Sequence, residues 1–295
     1  MKGVLIYNGF LESTKFKEIH SLYVQEAIGL GLKLECLGTD KIYNNKQFIQ
    51  QLVRQYDFGL FLDKDILLAK HLEEYGLKLF NCAQVIEICD NKALTQQVLE
   101  PYGIKMPKTV VAPLIFENTK YIDNWIESLE NYLSYPIVVK ESFGSFGEQV
   151  YIATDREQLT QLRKKIIYKP HIYQQFISSS FGRDLRINVI GDKVVASMLR
   201  TSNDFRANIS LGGKMEPFTP ENSYIELAIQ VAKILKSDFI GVDILFDKEP
   251  ILCEVNSNAH IISIQQCCGI NIAKLILKHI IDKICKISYS NEEDF

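Results

Sequence analysis

Residues 239–260 read FIGVDILFDKEPILCEVNSNAH, two apolar β-branched runs separated by the turn-forming tetrapeptide Asp247-Lys248-Glu249-Pro250. That pattern specifies an antiparallel hairpin. Pairing Phe246 with Ile251 across the turn sets Asp243 opposite Glu254, and the period of two along a strand adds Asn256 to the same face. Carboxylates about 4.5–5.5 Å apart at Cβ repel unless a cation lies between them. An unpaired carboxylate in an apolar strand is costly or is driven to take up a proton. Two carboxylates and an amide oxygen are hard ligands that suit Mg²⁺, which keeps waters and shares the phosphate oxygens of a substrate. The competing arrangement is a hairpin slipped by one residue, with its carboxylates turned to solvent.

A second stretch, VVKESFGSFGEQVYIA from Val138 to Ala153, ends a β-branched run on Lys140 and continues into a loop of Ser, Phe and Gly. Glycine there permits positive φ and lets consecutive backbone N–H groups point at one anion, which makes a phosphate cradle. The plainer alternative is a glycine-containing hairpin turn beside a solvated lysine. No helix follows the loop and the spacing is not that of a P-loop, so that motif is excluded.

In GRDLRINVIGDKVVASMLR, residues 182–200, a Gly191-Asp192 turn makes another hairpin. Leu185, Ile187 and Val189 are expected on the core face opposite Val194, Ala196 and Met198, which leaves Asp184, Arg186 and Asn188 on the other. A solvated sheet face would also explain that polar row. Further on, Arg206 and Asn208 stand two apart in front of a glycine pair, and arginine suits bidentate phosphate or carboxylate recognition. An isolated arginine is more often a surface residue, and a lone histidine beside isoleucines, as at His260, is more often structural.

Hydrophobic residues make up 47% of the 295-residue chain and charged residues 23%, the composition of a soluble globular protein with room for two or three packed units. A net charge of -3 excludes a strongly basic surface that would hold nucleic acid by phosphate neutralisation. The opening MKGVLIYNGF lacks a signal peptide's long apolar core, and no run of roughly 18 apolar residues occurs, so cytoplasmic residence without a membrane partner is expected. Cysteines at 36, 82, 89, 253, 267, 268 and 285 form no C-x-x-C pair and are read as buried thiols in a reducing compartment.

Residues 1–90 alternate short apolar runs with amphipathic stretches, which predicts a small α/β unit with a parallel sheet. Gly9 stands alone after the first strand, so a dinucleotide fingerprint is absent there. A helix opens at Asn91, a good N-cap, and runs to Tyr102 before Gly103 and Pro107. Helices are expected at 121–134, 155–166, 221–236 and 270–285, with strands at 136–141, 149–153 and 172–177 ahead of the two hairpins. The division is 1–90, 91–178, 179–288 and a disordered tail at 289–295.

Taken together, Asn91-Lys92-Ala93, GIKMPKT at 103–109, VVKESFGSFG, YQQFI at 173–177, GRDLRINVIGDKVVA, DFRANISLGG, GVDILF and CEVNSN resemble the ATP-grasp superfamily, and within it the RimK-like carboxylate–amine ligases. The resemblance covers nearly the whole chain and implies an α+β, ATP-grasp fold preceded by a small N-terminal α/β domain. It implies that Lys92 and Lys140 contact nucleotide phosphates, with Ser142, Gly144, Ser145 and Gly147 in a flap over them. Gln175, Phe176 and Ile177 would form the adenine hinge, and Asp184 would lie near the ribose. Arg206 and Asn208 would act at the transferring phosphate beside Lys140. Asp243, Glu254 and Asn256 fall on the family's metal ligands for Mg²⁺, or Mn²⁺ in its place, and Arg186 and Arg200 are candidates to grip a substrate carboxylate. Two departures stand out: Gln175 replaces a common acidic residue, and SNAH follows Asn256.

The implied activity is ATP-dependent amide-bond formation through an acyl phosphate, joining an amino acid such as glutamate to an acceptor that is a peptide, a protein or a metabolite. A small-molecule kinase and a non-catalytic nucleotide-binding regulator are the competing functions. A homo-oligomer is compatible with the sequence.

Overall fold

Strand β1 (Lys2–Tyr7) sets the first layer, because its residues are apolar toward both faces. The computed structural model describes residues 1–116, 123–145, 147–209 and 212–292, with side chains apart from those of 123 and 287–292. After β1 come α1 (Thr14–Gly29), β2 (Lys33–Gly38), α2 (Lys46–Val53), β3 (Phe58–Phe61), α3 (Ile66–Glu74) and β4 (Leu79–Phe80). The four strands are parallel in the order β2-β1-β3-β4. Leu5, Phe58 and Leu60 face α1, whereas Val4, Ile6 and Phe61 pack with α2 and α3, so each strand buries both faces as a parallel sheet requires. The side chains of Asn45 and Asp65 cap α2 and α3 by accepting N–H bonds from Phe48 and Leu68.

Helices α4 (Ala83–Asp90) and α5 (Lys92–Leu99) meet at Asn91, whose Oδ1 accepts from Ala93 N at 3.1 Å and Leu94 N at 3.3 Å. This is the N-cap expected from sequence, with the last turn to Tyr102 tightened into a 3₁₀ helix. A second, antiparallel sheet follows, built from β5 (Thr109–Val111), β6 (Ile137–Glu141), β7 (Val150–Ala153) and β8 (His171–Gln175) in the order β5-β8-β6-β7. Helices α6 (Asp123–Leu133) and α7 (Arg156–Ile166) cover it through Ile126, Leu129, Leu159 and Ile166.

The third sheet contains β9 (Arg183–Ile190), β10 (Lys193–Thr201), β11 (Lys214–Pro217), β12 (Phe239–Leu245) and β13 (Ile251–Asn256), ordered β11-β10-β9-β12-β13. One face, with Leu185, Ile187, Val189, Val242 and Val255, packs on α4, α5 and α8 (Asn222–Leu235). The opposite face is apolar only at one end, where Ile190, Ala196, Met198 and Phe239 meet α1, α9 (Ile261–Cys268) and α10 (Ile272–Glu292).

Several local expectations are revised. A bulge at Val195 shifts the β9–β10 register, so Ala196 and Met198 oppose Asn188 and Arg186 and leave the core face assigned to them from alternation. Helix α10 continues to Glu292, into the stretch read as a disordered tail. All seven cysteines are free, but only Cys89 is buried and Cys36 and Cys285 are exposed. Among the described residues, no single helix is long and apolar enough to cross a membrane.

The N-terminal sheet is pinned to the third by Asn81, which is 1% exposed. Its Nδ2 donates to Phe239 O at 2.7 Å and Ser257 O at 2.9 Å, and its Oδ1 accepts from Asp238 N at 2.8 Å and Phe239 N at 3.3 Å. One amide thereby satisfies backbone groups at the start of β12 and just past the end of β13.

Candidate active site

Asp243 does stand opposite Glu254, but not by the pairing at the turn that the sequence suggests. Phe246 lies outside the ladder; Leu245 pairs with Ile251 and Ile244 with Leu252, and then Cys253 is bulged so that Asp243 meets Glu254 and Gly241 meets Asn256. The bulge turns Glu254 away from the apolar face that holds Leu252 and Val255. It also presents Cys253, whose Sγ lies 3.8 Å from Lys140 Nζ.

The polar row of β9 is not solvated. Asp184 is 8% exposed, Arg186 9%, Asn188 5%, Arg200 4% and Asp243 4%. Arg186 binds Asp243 through two bonds, Nε to Oδ1 and Nη2 to Oδ2 at 2.6 Å. Arg200 binds Asp184 in the same way at 2.6 and 2.7 Å and reaches Asp243 Oδ2 at 2.9 Å. Two buried cations thus meet two buried anions, the condition under which burial of charge is tolerated. Burial pushes the Asp243 carboxyl up, yet Arg186 and Arg200 outweigh it and hold it at about 2. Burial pushes the Asp184 carboxyl up past the pull of Arg200, with the Asp243 charge adding to the push. Both arginines proposed to grip a substrate carboxylate are therefore already paired internally. Gly241 makes room for the arrangement: a Cβ there would lie 2.6 Å from Ala259 Cβ and 3.2 Å from Arg186 Cδ.

Across from this layer, the loop after β6 is held from several sides. Lys140 is 8% exposed at the end of its strand. Lys92 donates its N–H to Ser142 O at 3.0 Å and its Nζ to Gly144 O at 3.3 Å, while the same Nζ lies 3.6 Å from Glu254 Oε1. Ser145 N–H donates to Gln149 Oε1 at 3.1 Å, and Gly147 takes φ 76°, the left-handed region open to glycine. Arg206 Nη1 donates to Gly147 O at 3.1 Å while its Nε is held by Asp204 at 2.8 Å. Ser142 Oγ is buried with no hydrogen-bond partner among the described residues. Phe146, Ser210 and Leu211 lie outside the described residues. The backbone of Asn208 meets Gly213 N at 3.3 Å.

At the end of β8, Gln175 donates its N–H to Lys108 O at 2.8 Å, and its side-chain oxygen accepts from Lys108 N at 3.4 Å. The side chain that replaces an acid thus serves the β5 edge. Phe176 stacks edge-on with Phe181, centroids 6.3 Å apart, and Ile177 O accepts from Ser180 N. His260 caps α9 by accepting from Ser263 N at 3.4 Å, and burial, with Lys15 and Arg186 adding, pushes its pKa down to about 4. It is a neutral structural cap.

The donors fit a hard divalent cation. Among the described residues no three His, Cys, Asp or Glu side chains form a group that could hold a metal ion, so a third protein oxygen beside Asp243 and Glu254 would come from an uncharged group, an amide, a hydroxyl or a backbone carbonyl. Asn256 supplies one: its Nδ2 is buried without a partner, and turning the amide over presents oxygen in that place. The sequence reasoning missed the Cys253 bulge, Asn81 and Lys64, whose Nζ reaches Ser145 Oγ at 3.1 Å. The bulge alone left a trace, the three-residue step between core positions Leu252 and Val255.

A model of the RimK-like ATP-grasp domain matches residues 89–280. The chain is 32% identical over 253 residues to the uncharacterized protein MG012 of Mycoplasma genitalium, covering 83% of this chain and 85% of that protein. It is 36% identical over 221 residues to human N-acetylaspartylglutamate synthase A, covering 72% of this chain but only 55% of the synthase, about half its length. The D-alanine–D-alanine ligase from Bacillus anthracis complexed with ATP superposes with a TM-score of 0.71 at 17% identity over 99% of both chains, a likeness of fold. With that family model matched over residues 89–280, this chain belongs to the RimK-like ATP-grasp family.

Proposed function

We propose that this protein is an ATP-dependent carboxylate–amine ligase that adds an amino acid, glutamate first among candidates, to an acceptor of peptide, protein or metabolite type. The observation that carries the reading is the meeting of the flap with the acidic hairpin through one lysine, Lys92, whose Nζ lies between Gly144 O at 3.3 Å and Glu254 Oε1 at 3.6 Å. The glutamate in the printed name of the human synthase supports the choice of amino acid. Free cysteines support a reducing, cytoplasmic setting.

In this mechanism a carboxylate oxygen of one substrate attacks the γ-phosphorus of ATP and ADP departs. The amine of the other substrate then attacks the acyl phosphate and displaces inorganic phosphate, losing its proton. Lys92 and Lys140 bind and orient the phosphates beneath the flap that carries Ser142, Gly144, Ser145 and Gly147, Gln175–Ile177 line the adenine hinge, and Asp184 lies toward the ribose. Arg206, with Asn208, fixes the flap over the transferring group. Asp243, Glu254 and Asn256 would hold Mg²⁺ or Mn²⁺, which when bound neutralises charge on the phosphates. Arg186 and Arg200 hold Asp243 ionised, and they meet a substrate carboxylate only by exchanging that partner. No side-chain nucleophile takes part.

The test is ADP release with Mg-ATP, glutamate and a panel of carboxylates that includes N-acetylaspartate, followed by mass analysis for conjugates. Release that needs both amine and carboxylate is expected. A phosphorylated product formed without amine would make the protein a kinase, and no ADP under any combination would make it a regulator.

A further inference from the structure

The loop after β3, Leu62-Asp63-Lys64, connects the N-terminal sheet to both halves of the candidate site. Asp63, 9% exposed, fixes the turn: its Oδ1 accepts from Lys64 N at 2.5 Å and its Oδ2 from the Thr39 hydroxyl at 3.4 Å. Leu62 O accepts from Asn258 Nδ2 at 3.1 Å, two residues past Asn256. On the other side the Lys64 ammonium pairs with Asp90 and donates to Ser145 Oγ at 3.1 Å, a contact between residues 81 apart in sequence. An ammonium has three donors, so it serves both partners at once. Asp90 in turn sits just ahead of Asn91 and Lys92, whose Nζ grips Gly144 O at 3.3 Å. Adjacent residues of the flap are therefore held by two lysines, one from the N-terminal sheet and one from the start of α5.

We propose that Lys64 is a positioning residue that latches the flap at Ser145 to the N-terminal sheet, so that closure over the nucleotide phosphates depends on that sheet as well as on α5. A surface pair of Lys64 with Asp90 alone contributes little. Its consequence lies in the shared hydroxyl, which makes the flap and the β3 loop move as one. The proposal rests on the reading of residues 142–147 as the phosphate flap.

Two measurements on the full chain test it. In nucleotide-free protein, hydrogen exchange of the amides in 142–150 is expected to quicken about three- to fivefold in Lys64→Met and in Ser145→Ala, no further in the double variant, and to stay near wild type in Lys64→Arg. With a fluorescent, non-hydrolysable ATP analogue and Mg²⁺, the dissociation rate should rise by a similar factor in Lys64→Met and recover in Lys64→Arg. Unchanged flap exchange in Lys64→Met, or fully additive effects in the double variant, overturns the latch. Exchange that changes as expected while the wild type binds no analogue leaves the latch standing and removes the nucleotide reading instead.

Discussion

Asp243 faces Glu254 across the β12–β13 ladder, although the pairs nearer the turn run one residue out of step with them. The bulge at Cys253 makes up the difference, and it gives the two acids different surroundings. Asp243 is closed in by two guanidinium groups, whereas the Glu254 side chain is 29% exposed with one long contact to Lys92. A change at either acid should therefore be felt differently.

Glu254→Gln is expected to unfold within about 1 kcal/mol of wild type, since a partly exposed ion pair contributes little. Its metal-dependent ADP formation should fall at least about a hundredfold, because charge stabilisation at the phosphates is lost. Asp243→Asn leaves Arg186 and Arg200 short of a counter-ion and should lose about 3–5 kcal/mol in urea unfolding, besides activity. Equal stability of the two variants would contradict the buried pairing.

Lys140→Met keeps the stem of the side chain and removes the ammonium beside Cys253. Nucleotide affinity measured by calorimetry should weaken about 10- to 100-fold, the loss of one charge-assisted bond to phosphate, with little change in melting temperature. Unaltered affinity would remove Lys140 from the phosphate site.

Asn81→Ala strips a partner from four backbone groups at once, three of them in buried bonds and Ser257 O in a partly buried one. A loss of about 3 kcal/mol or more in chemical denaturation is expected, each orphaned group costing about 1–3 kcal/mol. Asn81→Asp should be no better, because it cannot donate to Phe239 O and Ser257 O. A variant within 1 kcal/mol of wild type would show that water replaces the amide.

Asp238 links β12 to α10. Burial pushes its carboxyl up, but hydrogen bonds from His279 at 3.0 Å and from Lys283 outweigh that and leave it below its ordinary value of 3.8. A carboxyl lowered in the folded state adds stability above its unfolded pKa and loses it as pH falls through the folded one. Unfolding free energy should thus drop on acidification below about pH 4, and the drop should be shallower in Asp238→Asn. Parallel pH curves for the two proteins would rule out this contribution.

Much of the frame is written in the local pattern. The parallel sheet of residues 2–80 follows from strands apolar on both faces alternating with amphipathic helices, and the Asn91 cap from a single side chain with free acceptors. The site is less legible where distant partners decide the outcome. Asn81 finds hydrogen-bond partners 157 to 176 residues away, and nothing local marks it. Strands β5 and β11, of three and four residues, exist through the edges of β8 and β10. Alternation also fails to show a bulge from one strand alone, which is why Met198 sits opposite Arg186, buried on the face that meets α1, α9 and α10 rather than on the one that packs against α8. The polar row of β9 has the same pattern whether wet or dry, and only the covering elements decide that Arg186 and Arg200 are buried.

The four charges of Asp184, Arg186, Arg200 and Asp243 sum to zero in a layer that water scarcely reaches. A layer of zero net charge neither draws in nor repels a phosphate chain at long range. What the layer holds is a matched set of ions whose pairing only a group carrying its own charge can divide.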